Sequence, residues 1–231
     1  MLTVSVITRR RHLRVLLLAG LAAMALVAGP GGAPASADTV DLSAHFNNRG
    51  ISHDPFSASD FDGGGFAYSG VALRLEGLVA GESVQADGMV FTWPDRESGQ
   101  TDNVVGVGQT IPLTAPDGAQ RIGFLGAGAN GTQTAQVTFT YSYVDEEGPK
   151  TADVVVPVTF SDWTLAAGQE SPHPSNVDVA ETLFRMANDT QPQTDRPHIF
   201  MTSVPLQQDM TLESMTLPST EDFHVFAVSI A

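Results

Sequence analysis

The chain has 231 residues, with 26 acids against 11 lysines and arginines and a formal net charge of −15. Such a surface repels phosphate backbones and anionic headgroups, which argues against nucleic-acid and membrane-surface partners. There is no cysteine, so disulfides, thiolate zinc sites and thiol nucleophiles are excluded.

The N-terminus reads as a targeting segment. TRRRHLR (Thr8 to Arg14) is a basic stretch, Val15 to Gly29 is an apolar run, and Ala35-Ser36-Ala37 is a small-x-small cleavage site. The run is shorter than the roughly 20 apolar residues that span a bilayer, so a retained anchor is the weaker alternative. Arg9-Arg10 followed by Leu13 and Arg14 also fits a twin-arginine export signal. Residues 1–37 are therefore expected to be a signal peptide, and the mature chain, Asp38 to Ala231, to be extracellular and free of the membrane. It keeps all 26 acids but only seven of the 11 cations, a net charge of −19. That charge suits divalent cations. Without disulfides, the exported chain must be held by its core or by a metal. Its length suits a single domain over 38–231.

Past Asp38 the pattern is strand-like throughout. SDFDGGGFAYSG (Ser59 to Gly70) places two carboxylates beside three glycines, in either a polar turn or a ligand loop. VALRLEGL alternates, with Val71, Leu73 and Leu75 on one face of an expected strand. SVQADGMVFTW reads as strand, Asp87-Gly88 turn, strand. QTIPL and QRIGFL follow, separated by TAPDGA. QTAQVTFTYSYV puts Val137, Phe139, Tyr141 and Tyr143 on one face. ADVVVPVTFSDW is a more continuous apolar run, as expected of a strand covered on both sides, although Pro157 argues for an edge or bulge. VDVAETLFRMA is ambiguous between helix and strand. HIFMTSVPL, TLESMTLP and FHVFAVSIA complete about ten short strands. This spacing predicts an all-β fold, a β-sandwich or jelly roll, with the last strand paired into a sheet.

Several chemistries lack their motif. There is no G-x-S-x-G elbow and no H-E-x-x-H, and His45, His53, His173, His198 and His224 show no ligand spacing. GAGANG (Gly126 to Gly131) opens no helix and so cradles no phosphate. Catalysis would have to rest on acids such as Asp60, Asp62, Asp95, Asp102 and Asp162, whose separations sequence cannot show. Asp60-x-Asp62 begins like an EF-hand loop, but its fifth position is Gly64 and its twelfth is Val71, which excludes that motif. A structural Ca²⁺ site built from Asp60 and Asp62, with Asp102 and Asn103 from a second oxygen-rich turn, remains open. Trp93, beside Asp95, and Trp163, beside Asp162, could stack on a sugar whose hydroxyls the acids bind, with Tyr68 a similar case. The competing reading has all three rings in the core.

AHFNNRGIS, DFDGGGFAYS, FTWPDRESGQTDNVVGVGQTIPL, IGFLGAGANGT, FSDW, TLESMTLP and HVFAVSI occur in that order from about Val40 to Ile230. This succession resembles an accessory β-sandwich module of secreted actinobacterial proteins, often appended to glycoside hydrolases of the α-mannosidase type. The resemblance implies a galactose-binding-like or immunoglobulin-like sandwich with a non-catalytic, carbohydrate-related role. The leading expectation is thus a secreted protein that binds an extracellular or cell-wall glycan. The alternatives are a structural or protein-interaction module without a small ligand and, third, a free-standing glycoside hydrolase.

Overall fold

A computed structural model describes residues 38–52, 58–97, 99–165, 171–188 and 190–231. The expected signal peptide, 1–37, and His53 lie outside the described residues. In chain order the elements are β1 (Asp38–Val40), β2 (Ile51–Ser52), β3 (Phe66–Ser69), the helix α1 (Gly70–Leu75), β4 (Ser83–Ala86) and β5 (Met89–Thr92). There follow β6 (Val104–Val107), β7 (Thr110–Pro112), β8 (Arg121–Gly128), β9 (Gln133–Asp145) and β10 (Gly148–Phe160). The last are β11 (Val177–Glu181), β12 (Arg185–Ala187), β13 (Gln191–Gln193), β14 (His198–Pro205), β15 (Thr211–Thr216) and β16 (Ser219–Ile230).

The expected alternation builds two sheets that enclose one core. On β9, Val137, Phe139 and Tyr141 are buried while Tyr143 is half-exposed near the end of the strand. They face inward from a sheet of order β10-β9-β15-β7. The other sheet has the order β1-β16-β8-β14-β11, and β6 also pairs with the N-terminal half of β16. Phe160 of β10 meets Phe223 of β16 across the interior with ring centroids 5.0 Å apart. A smaller sheet, β13-β12-β3-β2, and the hairpin β4-β5 extend the core. At the hairpin tip Asp87 and Gly88 both take positive φ, 45° and 72°, as a tight primed turn requires. The result is an all-β sandwich.

Two local expectations need correction and one ambiguity is resolved. VALRLEGL contains a helix, α1, rather than a strand. Ser69 caps it by accepting the Ala72 N–H at 3.2 Å, and Ala72 and Leu73 are buried while Leu75 is 68 % exposed. A capping serine before a short apolar run outweighs its alternation. ADVVVPVTF is not covered on both sides: β10 is the edge strand of its sheet, where Pro157 forfeits no ladder bond on the open side. Asp153, Val155 and Pro157 face solvent. VDVAETLFRMA resolves into two strands, β11 and β12.

One irregularity places the site. Against β6, β16 runs from Thr220 (opposite Gly106) to His224 (opposite Val105), four steps against one. The extra residues Glu221, Asp222 and Phe223 leave the β6 ladder as a wide bulge. Phe223 turns into the core, and the two acids are left at the surface. The bent backbone crowds its other neighbour, since a Cβ added at Gly126 of β8 would lie 2.2 Å from the His224 carbonyl and 2.5 Å from the Phe160 ring. Gly126→Ala is therefore expected to cost about 1–3 kcal/mol or more, as overpacked cores do. Urea denaturation checks this, and a variant as stable as the parent would show that β16 is free to shift.

Candidate functional site

The SDFDGGG loop is organised by its own backbone and by one buried ring. Between the two acids, Phe61 is almost wholly buried. It packs on Tyr68 (centroids 4.9 Å apart), Trp163 (4.8 Å), His224 (4.0 Å) and Phe226 (6.1 Å). Pinned there, it sends Asp60 and Asp62 outward on either side. Asp62 Oδ1 accepts the Gly64 and Phe66 N–H groups at 2.9 and 3.2 Å, and Asp60 Oδ1 accepts that of Gly65 at 3.1 Å. Partial burial, reinforced by the like charge of Asp60, raises the Asp62 carboxyl above its ordinary value despite those donors.

Asp102 and Asn103 are fully buried and do not join this loop as fellow ligands. Asp102 accepts the Gly50 N–H on Oδ1 and the Ile51 N–H on Oδ2, both at 3.0 Å. Asn103 Nδ2 donates to Asp102 Oδ1 at 2.8 Å and to Asn48 Oδ1 at 3.0 Å, while Asn103 Oδ1 lies 2.9 Å from His224 Nδ1. Among the described residues, no three histidines, aspartates or glutamates converge as metal ligands would. The four residues expected around calcium thus divide between a surface loop and a buried clamp.

The aromatic residues expected to stack on a sugar are internal. Trp93 is 2 % exposed and lies 5.0 Å from Phe226, ring on ring. Trp163 is equally covered, between Phe61, Tyr68 and the Arg185 guanidinium. Tyr68 is inaccessible, and its hydroxyl donates to the His198 carbonyl at 2.6 Å. None can meet a sugar face without unpacking the core. Asp162 is also structural, taking the Gly131 N–H at 2.6 Å, the Thr164 N–H at 2.9 Å and the Thr164 hydroxyl at 2.7 Å. Asp95 is exposed at a cavity of about 250 Å³ beside Trp93.

What the fold does assemble is an open acidic cleft of about 500 Å³. Asp60 and Asp62 reach it from the glycine loop, Glu221 and Asp222 from the β16 bulge, Asn47 and Asn48 from the segment before β2, and Asn130 from the turn before β9. Asn130 Nδ2 bridges the acidic segments, donating to the Asp62 carbonyl at 2.8 Å and Asp222 Oδ1 at 2.9 Å. Phe61 and His224 form its buried end. Sequence reasoning missed Glu221, Asp222 and the three asparagines. The acid pair ahead of an apolar strand was visible, but the bulge that turns it outward was not.

The family model for the AziU2-like beta-sandwich domain matches residues 36–231. The chain belongs to that family. A search of curated proteins gave no match.

Beneath the cleft of this AziU2-like domain lie two titratable groups with opposed shifts. Burial pushes Asp102 up to about 7, against the pull of Asn103, Gly50, Ile51 and the Arg49 charge. Burial drives His224 down to about 3. Between about pH 4 and 7 native Asp102 holds a proton that the unfolded chain releases, so its stabilisation is present at low pH and lost as pH rises. Between about pH 3 and 6.5 the unfolded chain binds a proton that native His224 refuses, so that stabilisation is present at high pH and lost as pH falls. Across their common window the two slopes cancel. Asp102→Asn should expose the histidine slope, its stability relative to the parent rising by about 1.4 kcal/mol per pH unit from pH 4 to 6.5. His224→Asn should show the mirror image. Urea melts at three pH values test both, and parallel curves for variants and parent would refute the opposed titrations.

Proposed function

We propose that this domain is a secreted, non-catalytic carbohydrate-binding β-sandwich and that the acidic cleft is its binding surface. The observation that carries the reading is the lining: carboxylates and amides from four separate segments around an open cavity. Val105 and the exposed Val107 line the cleft beside those groups, so a hydroxyl-rich ligand would find polar partners and an apolar strip for its C–H face. The titratable groups beneath it are already engaged, Asp102 with two backbone N–H groups and His224 with Asn103, which favours binding over proton transfer. Affinity is expected to be weak, because each hydroxyl competes with water and no aromatic face is offered.

Glu221→Gln with Asp222→Asn should weaken retention on an extracellular polysaccharide about tenfold, the equivalent of one modest hydrogen bond. Circular dichroism should be unchanged. Trp93→Phe should keep its retention, since Trp93 lies in the core. A glycan array followed by affinity electrophoresis reads all three proteins. Retention that ignores the cleft acids, or no retained glycan at all, would leave a protein-interaction role as the better account.

A further inference from the structure

The cavity of about 250 Å³ beside Trp93 adjoins the acidic cleft, because the same two stretches of chain line both. In the segment before β2, Asn47 and Asn48 line the cleft, and Ser43 and Phe46 line the second cavity. On β16, His224 lines the cleft, and Phe226 and Ala227 line the second cavity. His224 and Phe226 pack on the same ring, that of Phe61, with centroids 4.0 and 6.1 Å from it.

The second cavity has an apolar floor and a polar rim. Trp93 and Phe226, stacked with centroids 5.0 Å apart, are buried beneath it together with Leu42. Phe46 is half-buried at its side and carries the Arg96 guanidinium over its ring, 5.0 Å from the centroid. Arg96 also donates from Nη2 to the Ser43 carbonyl at 2.7 Å. Those two contacts hold the fork in place, and its other N–H groups meet no partner among the described residues. Asp41 is engaged as well: it accepts the Ser43 N–H at 2.8 Å, which with the Arg96 charge holds its carboxyl below the ordinary value. Asp95, exposed next to Arg96, has no hydrogen-bond partner among the described residues. Thr39 and Thr92 add exposed hydroxyl groups to the rim.

Open donors therefore stand beside open acceptors above an apolar floor. A sugar ring matches both features, since its hydroxyls donate and accept and its C–H face is apolar. An anion would meet Asp41 and Asp95, and a wholly apolar ligand would desolvate Arg96 and Asp95 without pairing them. Resting on the carbohydrate-binding reading of the cleft, we infer that the binding surface runs on into this second cavity, so that the domain takes an oligosaccharide chain longer than the cleft alone can hold. Phe46, Asp95 and Arg96 form the added subsite.

The test is a glycan array of neutral glucose, mannose, galactose and N-acetylglucosamine oligomers, two to six rings long. Calorimetry on the two-ring and six-ring members of the series retained best follows it. The six-ring oligomer is expected to bind at least about tenfold tighter than the two-ring one, the equivalent of one further hydrogen bond. Asp95→Ala with Arg96→Gln leaves the net charge unchanged and keeps a side chain over Phe46. It should bring the six-ring affinity down to that of the two-ring oligomer, with circular dichroism and two-ring binding as in the parent. Glu221→Gln with Asp222→Asn should weaken both oligomers. Equal affinity for two and six rings, or a six-ring affinity that ignores Asp95 and Arg96, would overturn the added subsite while sparing the cleft as a sugar site. Losses that follow Asp95 and Arg96 but not Glu221 and Asp222 would overturn the continuous surface and leave the second cavity alone as the sugar site. Retention of no array member would overturn the carbohydrate reading and the added subsite with it.

Discussion

The cleft depends on the burial of Phe61. That ring sits among Tyr68, Trp163, His224 and Phe226 and is covered on all sides. Burying a phenylalanine contributes about 1.5–3 kcal/mol, more than the mutual repulsion of two partly solvated carboxylates costs. The core therefore dictates where the acids go. With the ring anchored, Asp60 and Asp62 have only the surface available, and the glycines after them let the chain fold back so that its N–H groups reach their oxygens. Gly65 shows how closely this turn is packed: its carbonyl accepts the Asn188 N–H at 2.8 Å, and an added Cβ would sit 2.9 Å from Asn188 Oδ1. The loop is preorganised by packing and hydrogen bonds together, and neither alone would hold two like charges side by side.

A second constraint joins the loop to the sheet. Asn48 and Asn103 form an isolated bridge, reinforced by hydrogen bonds from Asn47 and Asn48 N–H to the Asn103 carbonyl and from Asp102 N–H to the Asn48 carbonyl. Asn48 Nδ2 continues the chain of contacts to the Asp60 carbonyl. The orientation of one amide, Asn103, thereby sets the proton position on His224, the seat of the Asn48 segment and, through it, the height of Asp60. Buried polar groups cost free energy unless each is satisfied, and here every member but His224 Nε2 is.

The strand pattern was legible because alternation reports which face of a strand is buried, and on β9 it did so from Ala135 to Tyr141. The hairpin was legible because Asp87-Gly88 is a local turn signal that needs no tertiary context. α1 was not, since six residues alternate acceptably as a strand and only the cap at Ser69 distinguishes them. Of the candidate site, Asp60 and Asp62 were visible as oxygen-rich residues in a glycine loop. The tryptophans misled because an aromatic next to an acid looks the same in sequence whether the ring faces water or the core. Burial is a property of the whole fold, and Trp93 gains its cover from Phe226, more than a hundred residues away in the chain. Glu221 and Asp222 were hidden for a related reason. Their direction is set by a register shift between β16 and β6, which no local pattern encodes.

That register shift also accounts for glycines that otherwise look decorative. A strand that advances four residues while its neighbour advances one must bow, and the bow pushes its carbonyls toward the strands on both sides. On the β6 side, a Cβ at Gly106 would fall 2.5 Å from the Pro218 carbonyl and 3.2 Å from that of Thr220. On the β8 side, Gly126 lies opposite Val225, where β16 shifts register a second time, and meets the His224 carbonyl. Glycine occupies both places because only a residue without a side chain admits a backbone so close. VVGV and FLGAG, two apolar strands each interrupted by glycine, flank β16, the first pairing with Ser219, Thr220, His224 and Val225 and the second with Phe223 to Val228. The sheet forgoes side-chain packing at two central positions, and in return the bulge carries Glu221 and Asp222 out of the ladder to face the glycine loop. A regular β16 would place only one of those two acids on the outer face, because alternation sends chain neighbours to opposite sides of a sheet.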